Sequence, residues 1–111
     1  MNDIYKILTE DEWSQAFTVG YVETALDKED GFIHFSDKQQ VQSTLKKYYL
    51  NQKDLILLKI EALKLDNLIW EQASDGSMFP HLYSSLDTNK VCSVYDLVLN
   101  EDGTHTLPLN Y

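Results

Sequence analysis

At 111 residues the chain is long enough for one domain with a real core and too short for a second. Its nine basic residues are all lysine against eighteen acidic ones, a formal net charge of −9, which speaks against the basic, arginine-forked surface that nucleic-acid binding favours. One cysteine, Cys92, excludes an internal disulfide. No stretch has a signal-peptide pattern or the length of a membrane span, so a cytoplasmic, membrane-free protein is expected.

Residues 3–8, DIYKIL, alternate as a first strand. Thr9 and Glu12 then match a capping box, and Trp13, Ala16 and Phe17 have helical spacing up to a stop at Gly20. Residues 21–30 read as polar and irregular, and DGFIHF as a second strand. Ser36 and Gln39 repeat the capping-box pattern before a helix whose buried stripe is Val41, Leu45, Tyr48 and Tyr49. DLILLKIE, 54–61, is apolar through four consecutive positions, as in a central strand covered on both faces. LIWEQ, 68–72, is a short strand, and 73–86 is a Gly/Ser/Pro-containing loop long enough to suspect function. Residues 91–99 alternate as a long strand, and the NEDG turn returns a hairpin partner at 104–107. Regular β-α alternation fails in the second half. The expected fold is therefore a single α+β domain over 1–111, with a curved, mixed or mostly antiparallel sheet and two main helices. Trp13, Phe17, Val41, Leu45, Leu57 and Ile60 are its expected core.

Three polar-aromatic clusters could carry chemistry: GFIHFS (31–36), WEQ (70–72) and FPHLY (79–83). Strand alternation puts Ile33 and Phe35 on one face and Phe32, His34 and Ser36 on the other. It also separates Trp70 and Gln72 from Glu71. His81 and Tyr83 lie in the loop that could close over a cleft, so His34 and His81 are expected in one cleft, about 6 Å apart or less. Each residue has a plainer reading. His34 can be a core histidine on a backbone carbonyl, Ser36 an N-cap, Trp70 packing and Glu71 a solvated carboxylate. His105 reads as a surface residue and Cys92 as a small core residue. His34, His81 and Glu71 are ligand types that suit zinc, but no HxH, HExxH or CxxC spacing joins them, and no metal is assigned. No GxSxG, Walker loop or GxGxxG occurs, and no pair of acids is marked out for glycoside cleavage.

IYKIL, DGFIHFS, WE and FPHLYSSL, in this order and spacing, closely resemble a family of short bacterial proteins known as domain of unknown function nine-five-two. The likeness runs from Ile4 to about Pro108. Members of that family resemble the ADP-ribosyltransferase fold, a small, split, curved sheet with an NAD-sized cleft. The resemblance invites comparison with RNA 2′-phosphotransferases of that fold, whose first strand reads roughly LYHGT and a later one H-(I/V)-H-L-S. Ile4-Tyr5-Lys6 is similar to the first, with Lys6 where the histidine would stand, and Ile33-His34-Phe35-Ser36 to the second. The phosphotransferases' arginines have no counterpart here.

Two functions follow. The first is binding of NAD or a related nucleotide, with transferase or degenerate transferase activity. Lys6, His34 and Ser36 would hold ribose or phosphate, Tyr83 or Trp70 would stack a ring, and Glu71 and His81 are the catalytic candidates. The alternative is a non-catalytic module that binds a small metabolite or a protein through the same cleft, which the missing arginines favour. The sequence names neither the ligand nor the oligomeric state.

Overall fold

The computed structural model describes residues 3–111. Among the described residues nine strands form: β1 Asp3–Thr9, β2 Tyr21–Val22, β3 Ile33–His34, β4 Leu55–Glu61, β5 Leu68–Gln72, β6 Met78–Leu82, β7 Leu86–Asp87, β8 Val91–Leu99 and β9 His105–Thr106. Three helices accompany them: α1 Glu10–Val19, α2 Ala25–Asp30 and α3 Val41–Tyr48. The strands form a main sheet in the order β1-β4-β8-β9, a smaller one in the order β3-β6-β5, and the pair β2-β7. Every named pairing is antiparallel, so the α+β expectation holds and the sheet is not mixed.

The apolar run in β4 makes it the centre of the main sheet. It pairs with β1 from Asp3↔Glu61 to Thr9↔Leu55, and with β8 on its other side. Its alternating side chains feed two cores. Ile56, Leu58 and Ile60 join Ile4, Leu8, Ala16 of α1, Phe35 and Leu82 on one face. Leu55 and Leu57 join Tyr5, Ile7, Leu97 and the Val41 and Leu45 of α3 on the other. Lys6 occupies an otherwise apolar position between Ile4 and Leu8 and is only 3% exposed.

The two sheets meet at a single bridge. Tyr5 N–H donates to the Ser36 carbonyl at 2.8 Å, and Ser36 N–H donates back to Tyr5 at 2.8 Å. Beyond it β1 and β3 part, and a cleft opens between the half-sheets.

Several expectations are corrected. Residues 73–86 are not a long loop. Ala73–Ser77 forms a tight turn, with Ala73 N–H donating to Ser77 O at 2.7 Å, and β6 and β7 follow. β6 is flanked on both sides although it contains Pro80, whose carbonyl accepts the Phe35 N–H at 3.1 Å. Residues 21–30 are ordered too. Thr24 and Asp27 form a reciprocal capping box that starts α2, and Gly31 closes that helix at φ 82°, a left-handed conformation that suits glycine. The second strand is shorter than DGFIHF. The second helix is preceded by a reciprocal pair one residue later than expected, Asp37 with Gln40, leaving Ser36 to the bridge.

The buried stripe of α3 runs Val41, Leu45, Tyr49 at intervals of four, which leaves Tyr48 exposed. Phe17 is 72% exposed because α1 packs through Trp13 and Ala16 instead. The register of β4 with β8 shifts between Lys59 and Ile60, around Cys92. Cys92 lies on the exposed side of β8 with Val94 and Val98, so it is exposed rather than core. His105 is buried: its Nε2 lies 2.6 Å from the Gln52 carbonyl, while Nδ1 has no partner.

Candidate functional site

The cleft between the half-sheets has a volume of about 600 Å³. β1 contributes Lys6, the segment from α2 through β3 contributes Asp27, Asp30, Phe32, His34 and Ser36, α3 with its C-cap contributes Thr44, Tyr48 and Tyr49, and β6 contributes Phe79 and His81. Burial pushes the Tyr49 hydroxyl up to about 12, so it stays a protonated donor at neutral pH.

Asp27 anchors one wall. The α2 capping box aims its carboxylate inward, where Oδ2 accepts the Thr24 N–H at 2.9 Å. Lys6 Nζ donates to it at 3.0 and 2.9 Å and to the His34 carbonyl at 3.0 Å. The His34 N–H donates to Oδ1 at 3.1 Å, and His34 Nδ1 lies 2.7 Å from the same oxygen. The other ring nitrogen, Nε2, is 2.9 Å from Asp30 Oδ2. Burial alone would raise the Asp27 carboxyl. The hydrogen bond from His34, the Lys6 charge and the Thr24 N–H outweigh it and hold the group well below the usual carboxylate range. Burial pulls the Lys6 ammonium down despite the opposing charge of Asp27. Lys6 and His34 therefore spend their polar atoms on the protein itself and lock α2 and β3 to β1.

A second constellation stands beside it on the same sheet. His81 pairs directly across from His34 in the strand register, with ring centroids 5.8 Å apart. Phe32 stacks on His81 at 4.0 Å and an interplanar angle of 26°, and lies 4.5 Å from His34. His81 Nδ1 is 2.7 Å from Glu71 Oε1, and the Tyr83 hydroxyl donates to that same oxygen at 2.6 Å. These two hydrogen bonds, Tyr83's the larger, hold the Glu71 carboxyl below its ordinary value. Glu71 reaches His81 because Ile69, its neighbour on the same strand face, stands opposite His81.

Comparison with known proteins gives this arrangement a family. A family model described as "Protein of unknown function (DUF952)" matches residues 7–94. The chain belongs to that family. A crystal structure of the protein CC0527 from Caulobacter crescentus is 43% identical, with 95% of this chain and 94% of that one covered at a TM-score of 0.90. A crystal structure of a double methionine variant of CC0527 gives 42% identity, 95% and 94% coverage and a TM-score of 0.89. The solution NMR structure of CC0527 gives 42% identity, 92% and 90% coverage and a TM-score of 0.81. No curated protein matches.

Within this DUF952 chain, Lys6, His34, Ser36 and His81 line one cleft, and Glu71 and Tyr83 stand at its rim through His81. Trp70 does not join them. It faces the opposite side of the small sheet, in a separate groove with Lys38, Lys59 and Tyr111. Ser36 Oγ lies 3.3 Å from Thr44 Oγ1, two hydroxyls side by side on the cleft wall. Asp27 and Asp30 have no role in the sequence reading, which places Phe32 on the His34 face without assigning it one. The threonine and aspartate at 24 and 27 form an S/T-x-x-D variant of the capping box, and that spacing was the available signal. Among the described residues no three His, Cys, Asp or Glu side chains are grouped to hold a metal ion, and no helix is long and apolar enough to cross a membrane.

Proposed function

We propose that this DUF952 protein binds a small ring-bearing metabolite with hydroxyl groups, of the nucleoside class and without phosphates, in the cleft between β1 and β3. One observation carries the reading. The cleft has the volume of a small-molecule site and aromatic walls in Phe32, Phe35, Phe79, Tyr48 and Tyr49, while the only ammonium among the described residues that line it, Lys6, is consumed by Asp27 and the His34 carbonyl. A ring finds aromatic faces there, and hydroxyls find Ser36, Thr44 and Tyr49. A pyrophosphate would meet the carboxylates of Asp27 and Asp30 with no free cation to offset them. In this reading His34 is a strut of the wall and His81 a ligand contact, with Glu71 and Tyr83 behind it.

A second reading is a transferase of the ADP-ribosyltransferase-like kind that handles NAD. The parting of two half-sheets around a cleft favours it. It needs Lys6 to leave Asp27 for the ligand's phosphates.

Thermal unfolding with adenosine, nicotinamide riboside, NAD and ADP-ribose separates the two. A nucleoside at 100 times its dissociation constant stabilises the fold by about 2.7 kcal/mol. Stabilisation by NAD or ADP-ribose exceeding that of both nucleosides overturns the first reading and supports the second.

A further inference from the structure

The two histidines of the cleft are not equivalent. His34 has a carboxylate on each ring nitrogen, Asp27 at 2.7 Å and Asp30 at 2.9 Å. His81 has a carboxylate on one nitrogen only. A carboxylate oxygen accepts and does not donate, so the proton shared between Glu71 and His81 resides on Nδ1. In the neutral ring that tautomer leaves Nε2 with a lone pair. No protein atom among the described residues hydrogen-bonds Nε2, and its side chain, about one-fifth exposed, lines the cleft.

Three contacts keep the ring in this attitude. Phe32 stacks on its face at 4.0 Å. Tyr83 steers Glu71 through a 2.6 Å bond. The strand pairing of β6 with β3 and β5 on either side fixes the backbone. An imidazole oriented by a carboxylate, with its far nitrogen free and facing a cavity, is the arrangement proteins use to present a proton acceptor to a ligand.

We propose that His81 is the recognition centre of the cleft, a Glu71-oriented imidazole whose Nε2 accepts a hydrogen bond from a ligand hydroxyl or N–H, so that the cleft selects ligands carrying such a donor beside their ring. Glu71 and Tyr83 are positioning residues. The selection of a donor rests on the cleft reading above. The state of the imidazole does not.

Diethyl pyrocarbonate acylates an unprotonated imidazole nitrogen, and the chain has three histidines to compare. The expected result, with peptides mapped by mass spectrometry at about pH 8, above the ordinary imidazole range, is acylation of His81 at least tenfold faster than of His34 or His105. Glu71→Gln lowers the His81 rate several-fold without altering the far-ultraviolet spectrum. Adenosine slows acylation of His81. His81→Phe, which keeps an aromatic ring against Phe32, abolishes thermal stabilisation by adenosine. Faster acylation of His34 than of His81, or a His81 rate unchanged in Glu71→Gln, overturns the proposal. If no nucleoside binds, the ligand class falls while the acylation order still decides the state of His81, so the two readings fail separately.

Discussion

Replacing Asp27 with asparagine tests how the cleft wall is held. Asp27 receives Lys6 Nζ at 3.0 and 2.9 Å, the His34 ring at 2.7 Å, the His34 N–H at 3.1 Å and the Thr24 N–H at 2.9 Å. Asparagine keeps the shape, removes the charge and turns one acceptor into a donor. Lys6, only 3% exposed, then keeps neutral acceptors only, the His34 carbonyl and the asparagine oxygen, with no carboxylate in contact. Breaking a buried pair from one side costs about 3–5 kcal/mol, because the remaining charge is uncompensated. The reverse change, Lys6→Met, leaves Asp27 with its donors from His34 and Thr24 and costs about 1–3 kcal/mol. In the double variant the stranded ammonium is gone, so the loss is smaller than the sum by at least about 1 kcal/mol. Urea denaturation followed by tryptophan fluorescence measures all three differences through the shift in midpoint at constant slope. A loss below about 1 kcal/mol for Asp27→Asn, or additive losses in the double variant, would refute the wall as described.

Acid stability follows from the same carboxylate. Its folded-state value lies below its unfolded one, so its contribution is fully present above the unfolded carboxylate range near pH 4 and fades as pH falls below it. Asp27→Asn flattens this acid limb of a urea-midpoint profile, and an unchanged limb contradicts the assignment. Leu45→Ala, at a fully buried position on α3, costs about 2–5 kcal/mol, whereas Phe17→Ala on the exposed face of α1 costs less than about 0.5 kcal/mol in the same assay. Gly103 has φ 90° and a Cβ there would run into the Asn51 side chain, while Gly31 at φ 82° has open space around it. Gly103→Ala therefore loses more stability than Gly31→Ala, the latter about 1–2 kcal/mol from backbone strain alone, and equal losses argue against the Asn51 contact.

The sequence was most informative where local chemistry and burial agree. LIWEQ and the 91–99 run appear at the expected bounds because alternation and flanking turns mark them independently. Thr9 with Glu12 forms the expected capping box. It misled where a local signal had a neighbour of equal strength. In SDKQQ the pairs Ser36/Gln39 and Asp37/Gln40 share one spacing, and only the main-chain bridge to Tyr5 decides between them. Pro80 reads as a strand breaker, yet β6 tolerates it between two neighbours, since only a donor is missing there. Face assignment along β8 fails because the side that Cys92 shares with Val94 and Val98 is the exposed one, while Tyr95 and Leu97 pack on the core. His34 and His81 come together as the motifs suggested. That His34 keeps no free ring nitrogen and His81 keeps one depends on Asp27, Asp30 and Glu71, contacts that the motifs do not encode.

The bridge between Tyr5 and Ser36 has a mechanical meaning. Two 2.8 Å hydrogen bonds carry the main-chain continuity between the half-sheets, while β1 and β4 hold together along seven residues each. The β3-β6-β5 layer is thus a leaf on a short main-chain hinge, held otherwise by side chains: Ile33, Phe35 and Leu82 in the shared core and Lys6 on Asp27. Amide protons of Tyr5 and Ser36 mark that hinge. They exchange with the opening of the leaf, whereas those in the interior of β4 wait for the whole molecule to unfold. The pairing of the half-sheets ends where the cleft begins, at Tyr5 and Ser36, and both residues line it.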